Sequence, residues 1–210
     1  ELGSAGKPAE EKLGLFTNAL AQATGHLNGV ITQFTNSTHI GRAWLNLGWA
    51  AWEEGMVLDV PARVQQSEAA FRTASEKLTR SDDQASAIFK LADAQVQLQQ
   101  TKSAVTNYAR VLNDYSDLPQ VKNALFDKAY AQLVRAHIEL NDLAAAESHL
   151  KKLREEFPKS PATEEALFLF GQAVMMSKPE QARALFQEFA EQYPGSPLLP
   201  EARFGEARRY

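Results

Sequence analysis

Apolar residues recur along this chain at the spacing of amphipathic helices, and a small residue often stands four positions before a large one. Three such pairs are Ala104/Tyr108, Ala146/Leu150 and Ala182/Phe186. Residues four apart share one face of an α-helix. Small residues let two helices approach closely, and the large ones fill the gap that opens one turn further along. The pattern therefore predicts a series of closely packed antiparallel helix pairs.

The same pattern returns at offsets of a few dozen residues. An offset of 36 takes Phe157 to Tyr193, and a backward offset of 42 takes it to Tyr115. An offset of 123 turns Phe157, Ser160, Ala166, Leu167, Phe170 and Gly171 into Phe34, Ser37, Ala43, Trp44, Leu47 and Gly48. A period of this length is typical of a solenoid, in which each helix pair stacks on its neighbours.

This register divides the chain into repeats, in which we name the first helix A-type and the second B-type. The small, polar residues 1–10 are expected to be disordered, and residues 11–210 to form a single solenoid. Its parts are a partial leading repeat, four full repeats and a partial trailing repeat, at about 11–36, 37–80, 81–117, 118–159, 160–195 and 196–210.

The leading segment has an apolar residue every three or four positions, which predicts one long amphipathic helix. These residues are Leu13, Phe16, Leu20, Ala23, Leu27, Val30 and Phe34. The seam could serve a coiled-coil dimer. The offset of 123 favours a B-type helix instead, because it maps Leu27 onto Leu150 and Val30 onto Leu153.

Two copies of an aromatic-Pro-x-Ser-Pro motif mark the ends of repeats. They are Phe157-Pro158-Lys159-Ser160-Pro161 and Tyr193-Pro194-Gly195-Ser196-Pro197. Each serine hydroxyl can cap the next helix, and proline is accepted in a first helical turn because its missing N–H has no helical partner there. Ser177 and Glu180 have the spacing of a capping box before the following helix.

These residues resemble the tetratricopeptide repeat (TPR) family, whose A-type helix carries W-x2-L-G-x2-Y. The matching residues are Trp44, Leu47, Gly48 and Ala51, with a weaker copy at Leu167, Phe170, Gly171 and Val174. The resemblance covers about residues 12–210 and implies an all-α, right-handed superhelical solenoid of antiparallel helix pairs. The unit around Leu125 departs from the pattern because Lys128 stands at an apolar position, which allows a local register shift of one residue.

The motif Phe157–Pro161, followed by Ala166-Leu167-Phe168-x-Phe170-Gly171, resembles bacterial envelope members of the family. These include the periplasmic TPR protein of the Tol-Pal system and the TPR lipoprotein of the outer-membrane barrel-assembly machine. The resemblance implies a periplasmic or outer-membrane-associated protein. A cytoplasmic location stays open, because the absence of cysteine fits both compartments.

In TPR proteins the A-type helices line a concave groove that binds a partner. Carried over by position, the groove of this chain would be lined by Arg42, Leu45, Trp49, Trp52, Phe89, Asp93, Asn123, Phe126, Tyr130, Leu133, Phe168, Gln172 and Met175. This surface is apolar and aromatic. Phe89, Phe126, Phe168 and Phe204 occupy one equivalent position, where packing in the core is favoured over contact with a partner. For Trp49 and Trp52, burial beneath a neighbouring element is the alternative to contact with a partner.

Other kinds of chemistry lack their residue patterns. The four histidines are scattered, no glycine-rich loop precedes a helix, and no carboxylate pair recurs at ligand spacing, so we expect no catalytic site, metal or cofactor. The formal net charge is −4 and no basic stripe is present, which disfavours nucleic acid. No apolar run of membrane-spanning length occurs, so this segment is not expected to insert into a membrane.

Together with the repeat pattern, the resemblance implies a non-catalytic scaffold that binds a peptide or helical segment of another protein, in the assembly or maintenance of a bacterial envelope. Two alternatives stay open. The chain could be a structural spacer that self-associates through the ends of the solenoid, or the non-catalytic arm of a larger enzyme.

Overall fold

A computed structural model describes residues 9–207, and every regular element in this range is helical. The α-helices are α1 (Ala9–Gln33), α2 (Ile40–Leu58), α3 (Pro61–Lys77), α4 (Asp82–Gln97), α5 (Thr101–Asp114), α6 (Pro119–Val121), α7 (Asp127–Glu139), α8 (Leu143–Glu156), α9 (Pro161–Val174), α10 (Pro179–Gln192) and α11 (Leu199–Ala207). A π-helical turn, Lys122–Phe126, joins α6 to α7. The prediction of an all-α fold is confirmed.

The predicted disordered segment and the predicted trailing repeat are each described only in part. Of the predicted disordered segment 1–10, residues 1–8 lie outside the described residues, whereas Ala9 and Glu10 already belong to α1. Of the trailing repeat, α11 is described and residues 208–210 are not.

The chain divides into two compact units, unit 1 (Glu1–Gln100) and unit 2 (Thr101–Tyr210). In unit 1, each helix from α1 to α4 packs against the next. In unit 2, α7 to α11 do the same, and α5 packs against α7. Short turns join most of these helices, so consecutive helices run antiparallel. A single solenoid over 11–210 stays a prediction.

Alternate helices also touch within each unit. The A-type helices α2 and α4 contact each other in unit 1, and the A-type helices α7 and α9 do so in unit 2. Stacked helix pairs produce such contacts, because each repeat rests on its neighbour. The two resulting surfaces, named the α2/α4 face and the α7/α9 face, are where the predicted groove residues are found.

In unit 1 the core forms where α2 approaches α3. Phe71 is fully buried, and an added Cβ on Gly48 would lie only 2.6 Å from its ring. Leu45, Ala74 and Leu91 complete the same cluster. A glycine at this point of α2 therefore lets the phenylalanine of α3 fill the space between the two helices.

In unit 2 a phenylalanine is held in a similar way by two glycines. Phe186 of α10 is buried against α9 and α11, where an added Cβ on Gly171 or Gly205 would lie 3.0 or 2.6 Å from its ring. The alanines of the small–large pairs, such as Ala146, are fully buried as well. The pattern of small and large residues therefore reports real close contacts between helices.

Ser160 and Ser196 cap the helices that follow them as predicted, whereas Ser177 does not. The Ser160 hydroxyl accepts a hydrogen bond from the backbone N–H of Ala162 at 3.1 Å, and the Ser196 hydroxyl accepts one from that of Leu198 at 3.0 Å. The predicted capping box at Ser177 is wrong. Its hydroxyl donates to the Val174 carbonyl at 3.4 Å, because α10 begins one residue later than that box requires.

Candidate functional site

The α2/α4 face of unit 1 carries a partly exposed tryptophan that rests on the core. The side chain of Trp49 is 37% exposed, and its ring meets that of Phe71 edge to face, with centroids 5.9 Å apart. Trp52, one turn further along α2, is partly buried and packs against the core cluster. Trp49 therefore offers an aromatic surface to solvent, whereas Trp52 mainly supports the fold.

A buried lysine holds the two tryptophans. The Lys90 ammonium lies 3.9 Å from the ring centroid of Trp52 and 4.8 Å from that of Trp49, within the range of cation–π attraction. The same ammonium forms an ion pair of 2.7 Å with Asp93. The predicted groove residue Asp93 is thus engaged in binding Lys90, and the lysine fixes both indole rings.

An ion pair lies at the end of the α2/α4 face where α2 and α4 begin. The guanidinium of Arg42, on the first turn of α2, lies 2.6 Å from the carboxylate of Asp83 at the start of α4. The Arg42 side chain is largely exposed, so this pair stabilises the fold only weakly. The two charged side chains thus border the exposed surface of Trp49.

Two predicted groove residues of unit 1 are part of the core. Leu45 belongs to the buried cluster around Phe71, and Phe89 is buried as well. Both side chains are 7% exposed, which for Phe89 agrees with the alternative of core packing. Contact of either side chain with a partner stays a prediction. An A-type helix that is covered on several sides buries more of its circumference than the family positions imply.

In unit 2 the π-helical turn shifts the predicted register. A π-helical turn accommodates one extra residue, so positions after Phe126 are rotated relative to the α-helical expectation. Phe126, Tyr130 and Leu133 are all buried, and only Asn123 among the predicted residues of this repeat is exposed. The structure thus places these three side chains in the core, and their contact with a partner stays a prediction.

The Tyr130 side chain points toward α8 in the structure. Its hydroxyl contacts the Glu156 carboxylate of α8 at 3.4 Å, and its ring lies 6.2 Å from that of His149 on the same helix. Burial, together with the charge of Glu156, raises the pKa of the Tyr130 phenol. Tyr130 thus fills the space between α7, the A-type helix that carries it, and α8, the B-type helix of the same repeat.

The α7/α9 face is polar as a result. Arg135 forms an ion pair with Glu165 of α9, and the Ser160 hydroxyl donates to the Asp127 carboxylate at 2.6 Å. Arg135 was not among the predicted groove residues. Lys128 at an apolar position was the sequence signal that could have indicated it, because Lys128 marks the shift of one residue.

Further along unit 2, the predicted residues of α9 divide between core and surface. Phe168 is buried, with its ring centroid 5.8 Å from that of Phe186 and 5.6 Å from that of Phe189, which agrees with the alternative of core packing at this position. Gln172 is exposed, and Met175 is partly buried. Both line an open pocket between α9 and α11.

This pocket, named the α9/α11 pocket, has a volume of about 440 Å³. Its lining residues are Gln172, Met175, Phe186, Pro200, Glu201, Phe204 and Gly205. Phe204 is 70% exposed, which is unusual for a large aromatic side chain. The lining is mainly apolar, and polar groups stand at Gln172 and Glu201.

Two stacked histidines lie between α7 and α8. The rings of His137 and His149 are 5.3 Å apart and nearly parallel, and both Nδ1 atoms are buried without a hydrogen-bond partner among the described residues. Burial, followed by the neighbouring charges of His137 and Lys152, lowers the pKa of His149 to about 4. His149 is therefore neutral at physiological pH.

We expect His149 to make unit 2 acid-sensitive. His149 has an ordinary pKa of 6.5 and a lowered one of about 4 in the folded chain, so the unfolded chain takes up a proton first as the pH falls. Stability should therefore decline between pH 6.5 and 4. The variant His149→Phe keeps an aromatic ring and does not titrate, so its melting temperature should fall less over this window. Equal pH dependence in both proteins would contradict the expectation.

Over residues 9–207, no group of three or more histidine, aspartate and glutamate side chains could hold a metal ion. None of the helices described for this chain has the length and apolar character needed to cross a membrane.

Comparison with known proteins identifies the repeats. A family model described as tetratricopeptide repeat matches residues 86–117, 124–160 and 165–196. No protein of the curated collection matches the chain.

Solved structures share the fold. A tetratricopeptide repeat protein from Parabacteroides merdae aligns with a TM-score of 0.68 at 17% identity, over 92% of this chain and 68% of its own. YrrB, described as a TPR protein with an unusual peptide-binding site, aligns with a TM-score of 0.57 at 17% identity, over 86% of this chain and 79% of its own. BtubC from P. vanneervenii aligns with a TM-score of 0.66 at 11% identity, over 95% and 82%.

At these identities the structures show the fold, while the family model matches three successive helix pairs of this chain. The spacing of those matches follows the alternation of A-type and B-type helices in the structure. Residues 86–117, 124–160 and 165–196 of this chain are therefore tetratricopeptide repeats.

Proposed function

We propose that this chain is a non-catalytic scaffold that binds a segment of another protein on the α2/α4 face, around Trp49. TPR proteins generally serve as protein-interaction scaffolds. The main support is that the Trp49 side chain is 37% exposed while its indole ring is held in place by Phe71 and Lys90.

A fixed, exposed tryptophan is well suited to bind a partner. Tryptophan is enriched among the few interface residues that provide most of the binding energy. Because the ring of Trp49 is already held by its neighbours, little side-chain entropy is lost when a partner covers it. Met56 is also exposed and follows seven residues later in α2, so it extends the apolar surface along the same side of the helix.

A peptide or helical segment is the proposed form of the partner. The surface around Trp49 is one helix long and is flanked by the ion pair of Arg42 with Asp83, which suits an elongated ligand better than a globular one. YrrB, which shares the fold, is described as having a peptide-binding site, and this supports the same class of ligand here.

The proposed setting is the envelope of a bacterium, in the periplasm or at the outer membrane. The two aromatic-Pro-x-Ser-Pro motifs support it, because they resemble bacterial envelope members of the family.

Self-association is a second candidate function. Leu13 and Leu15 of α1 and Phe204 of α11 are large apolar side chains that are exposed in the structure. Contacts between copies through such surfaces would make the chain a spacer in a larger assembly. A mass that rises with protein concentration would favour this candidate, and a constant monomer mass would remove it.

The experiment for the scaffold is affinity capture from a bacterial envelope extract with the wild type and Trp49→Ala, followed by mass spectrometry. Trp52 is left in place, because it packs against the core and its removal would disturb unit 1. We expect one or more proteins to be captured by the wild type and lost with Trp49→Ala.

Leu15→Ala serves as the matched control, since Leu15 is a similarly exposed apolar residue on α1, which is not part of the α2/α4 face. Capture that survives Trp49→Ala, or that falls equally with Leu15→Ala, would contradict the proposed site.

A further inference from the structure

A lysine stands beside the tryptophans of unit 1, and the repeat pattern shows that it is not a general feature of the repeats. The equivalent positions of the A-type helices carry Asn46, Lys90, Asp127, Leu169 and Gly205. All three tryptophans of the chain lie on α2, the A-type helix that contacts α4. The lysine of α4 therefore accompanies the tryptophans of α2.

Lys90 is enclosed by the fold. Its side chain is 11% exposed, and that of Asp93 is 15% exposed. The ammonium lies 2.7 Å from the Asp93 carboxylate, 3.9 Å from the ring centroid of Trp52 and 4.8 Å from that of Trp49. Because so little of its surface reaches solvent, Lys90 has little to offer a partner directly. An effect of Lys90 on binding has to pass through the tryptophans.

Asp93 fixes the place of the ammonium. The two residues are three apart on α4, so the ion pair forms within one helix. A charge that is largely removed from water is costly unless it is paired, and a carboxylate one turn away provides the pair without any group from α2. The ammonium is thus a fixed point of α4 that both indole rings of α2 contact.

Trp49 requires such a point because its ring is only partly covered. The ring meets that of Phe71 on α3 edge to face, with centroids 5.9 Å apart, and 37% of the side chain is exposed. A single ring contact of this kind leaves other side-chain rotamers open. The Lys90 ammonium adds an attraction toward the face of the ring, from a second helix. Contacts from α3 and α4 together therefore hold the ring in one orientation.

We infer that Lys90 is a positioning residue for partner binding at Trp49, and that it acts through its charge, which Asp93 holds in place. The inference rests on the proposed scaffold function and adds the residues that set the affinity of the same site. It gives Asp93, a predicted groove residue, an indirect role. A ring that is ordered before the partner arrives loses less entropy when it is covered, so the ion pair strengthens binding without touching the partner.

The first measurement concerns Trp49 itself and needs no partner. Nuclear magnetic relaxation of the indole N–H groups is recorded for the full 210-residue chain and for Lys90→Met/Asp93→Asn. The double variant removes both charges together, which avoids an unpaired charge inside the fold. We expect the order parameter of the Trp49 indole to fall in this variant. Lys90→Arg should preserve it, because a guanidinium also pairs with a carboxylate and stacks on aromatic rings.

The second measurement is the affinity for a protein that the wild type captures and Trp49→Ala loses. We expect Lys90→Met/Asp93→Asn to bind this protein roughly two- to tenfold more weakly, as the cost of ordering one side chain implies, and Lys90→Arg to bind it as the wild type does. The matched control is Arg183→Met/Glu180→Gln, which removes an ion pair of the same spacing on α10. The control should change neither the Trp49 order parameter nor the affinity.

Circular dichroism checks that the double variant keeps its helices. If it does not, Asp93→Asn alone takes its place, because this variant keeps the lysine and removes the carboxylate that holds the ammonium. It should lower the Trp49 order parameter and weaken binding in the same direction.

An unchanged Trp49 order parameter, an unchanged affinity, or a loss that is equally large in the control variant would each overturn the role of Lys90. A loss that Lys90→Arg shares in full would overturn the role of its charge. A wild type that captures no partner would overturn the scaffold and with it any role of Lys90 in binding. That result is seen before a lysine variant is titrated, so the two failures are distinguishable.

Discussion

Ala146→Leu is expected to lower the free energy of unfolding of unit 2 by roughly 1–3 kcal/mol, because a well-packed interior does not accept a larger side chain without distortion. Ala146 is fully buried on α8, which packs against both α7 and α9. Three more carbon atoms at this position would push these helices apart. Urea unfolding followed by far-ultraviolet circular dichroism measures the effect.

The same helix provides the control. Ala144→Leu makes an identical change at an exposed position of α8, and it should leave the free energy of unfolding nearly unchanged. If both variants unfold at the same urea concentration as the wild type, the assignment of Ala146 as the close contact of this repeat is wrong.

Gly48→Ala is expected to destabilise unit 1 by a similar amount, roughly 1–3 kcal/mol. The added Cβ would lie 2.6 Å from the ring of Phe71, which is fully buried and touches Trp49. The ring therefore has no free space into which it can move. The chain has three tryptophans and all belong to unit 1, so their fluorescence during urea unfolding reports this unit specifically.

Gly29→Ala is the control for this substitution. Gly29 lies inside α1 and an added Cβ would have nothing within 4 Å, so only the helix propensity changes. Alanine is favoured over glycine in a helix by about 1 kcal/mol, and the variant should be more stable than the wild type. A stabilising Gly48→Ala would show that α2 and α3 are less closely packed than the structure describes.

Much of the fold could be predicted from the sequence because it depends on volume patterns. Ala104, Ala146 and Ala182 are fully buried, as the pairing of a small residue with a large one implies. Helix α1 is also a single long helix, as its apolar spacing of three and four predicted. These patterns can be read from the sequence because equivalent positions of stacked repeats require side chains of similar volume.

The candidate site was predicted less well, for a physical reason in each unit. In unit 2 one extra residue is absorbed by the π-helical turn Lys122–Phe126, which rotates every later side chain of α7. Tyr130 and Leu133 are therefore core residues. Family positions assume a regular α-helix, and only the unexpected Lys128 indicated that this assumption fails here.

In unit 1 the sequence left contact with a partner and burial open for Trp49 and Trp52, and it did not indicate the residue that holds them. Lys90 and Asp93 are three apart on α4, a spacing that predicts an ion pair on one helix face. The contact of Lys90 with Trp49 and Trp52 depends on how α2 and α4 approach each other. That geometry comes from packing across two helices, which the local sequence pattern does not contain.

The central claim, that Trp49 anchors a protein partner, is tested most directly by calorimetric titration of a captured partner with wild type, Trp49→Ala and Leu15→Ala. We predict that Trp49→Ala weakens binding by at least about 2 kcal/mol, the level of a hot-spot residue, while Leu15→Ala binds as the wild type does. Equal affinity of the wild type and Trp49→Ala would contradict the claim and place the interaction elsewhere on the chain.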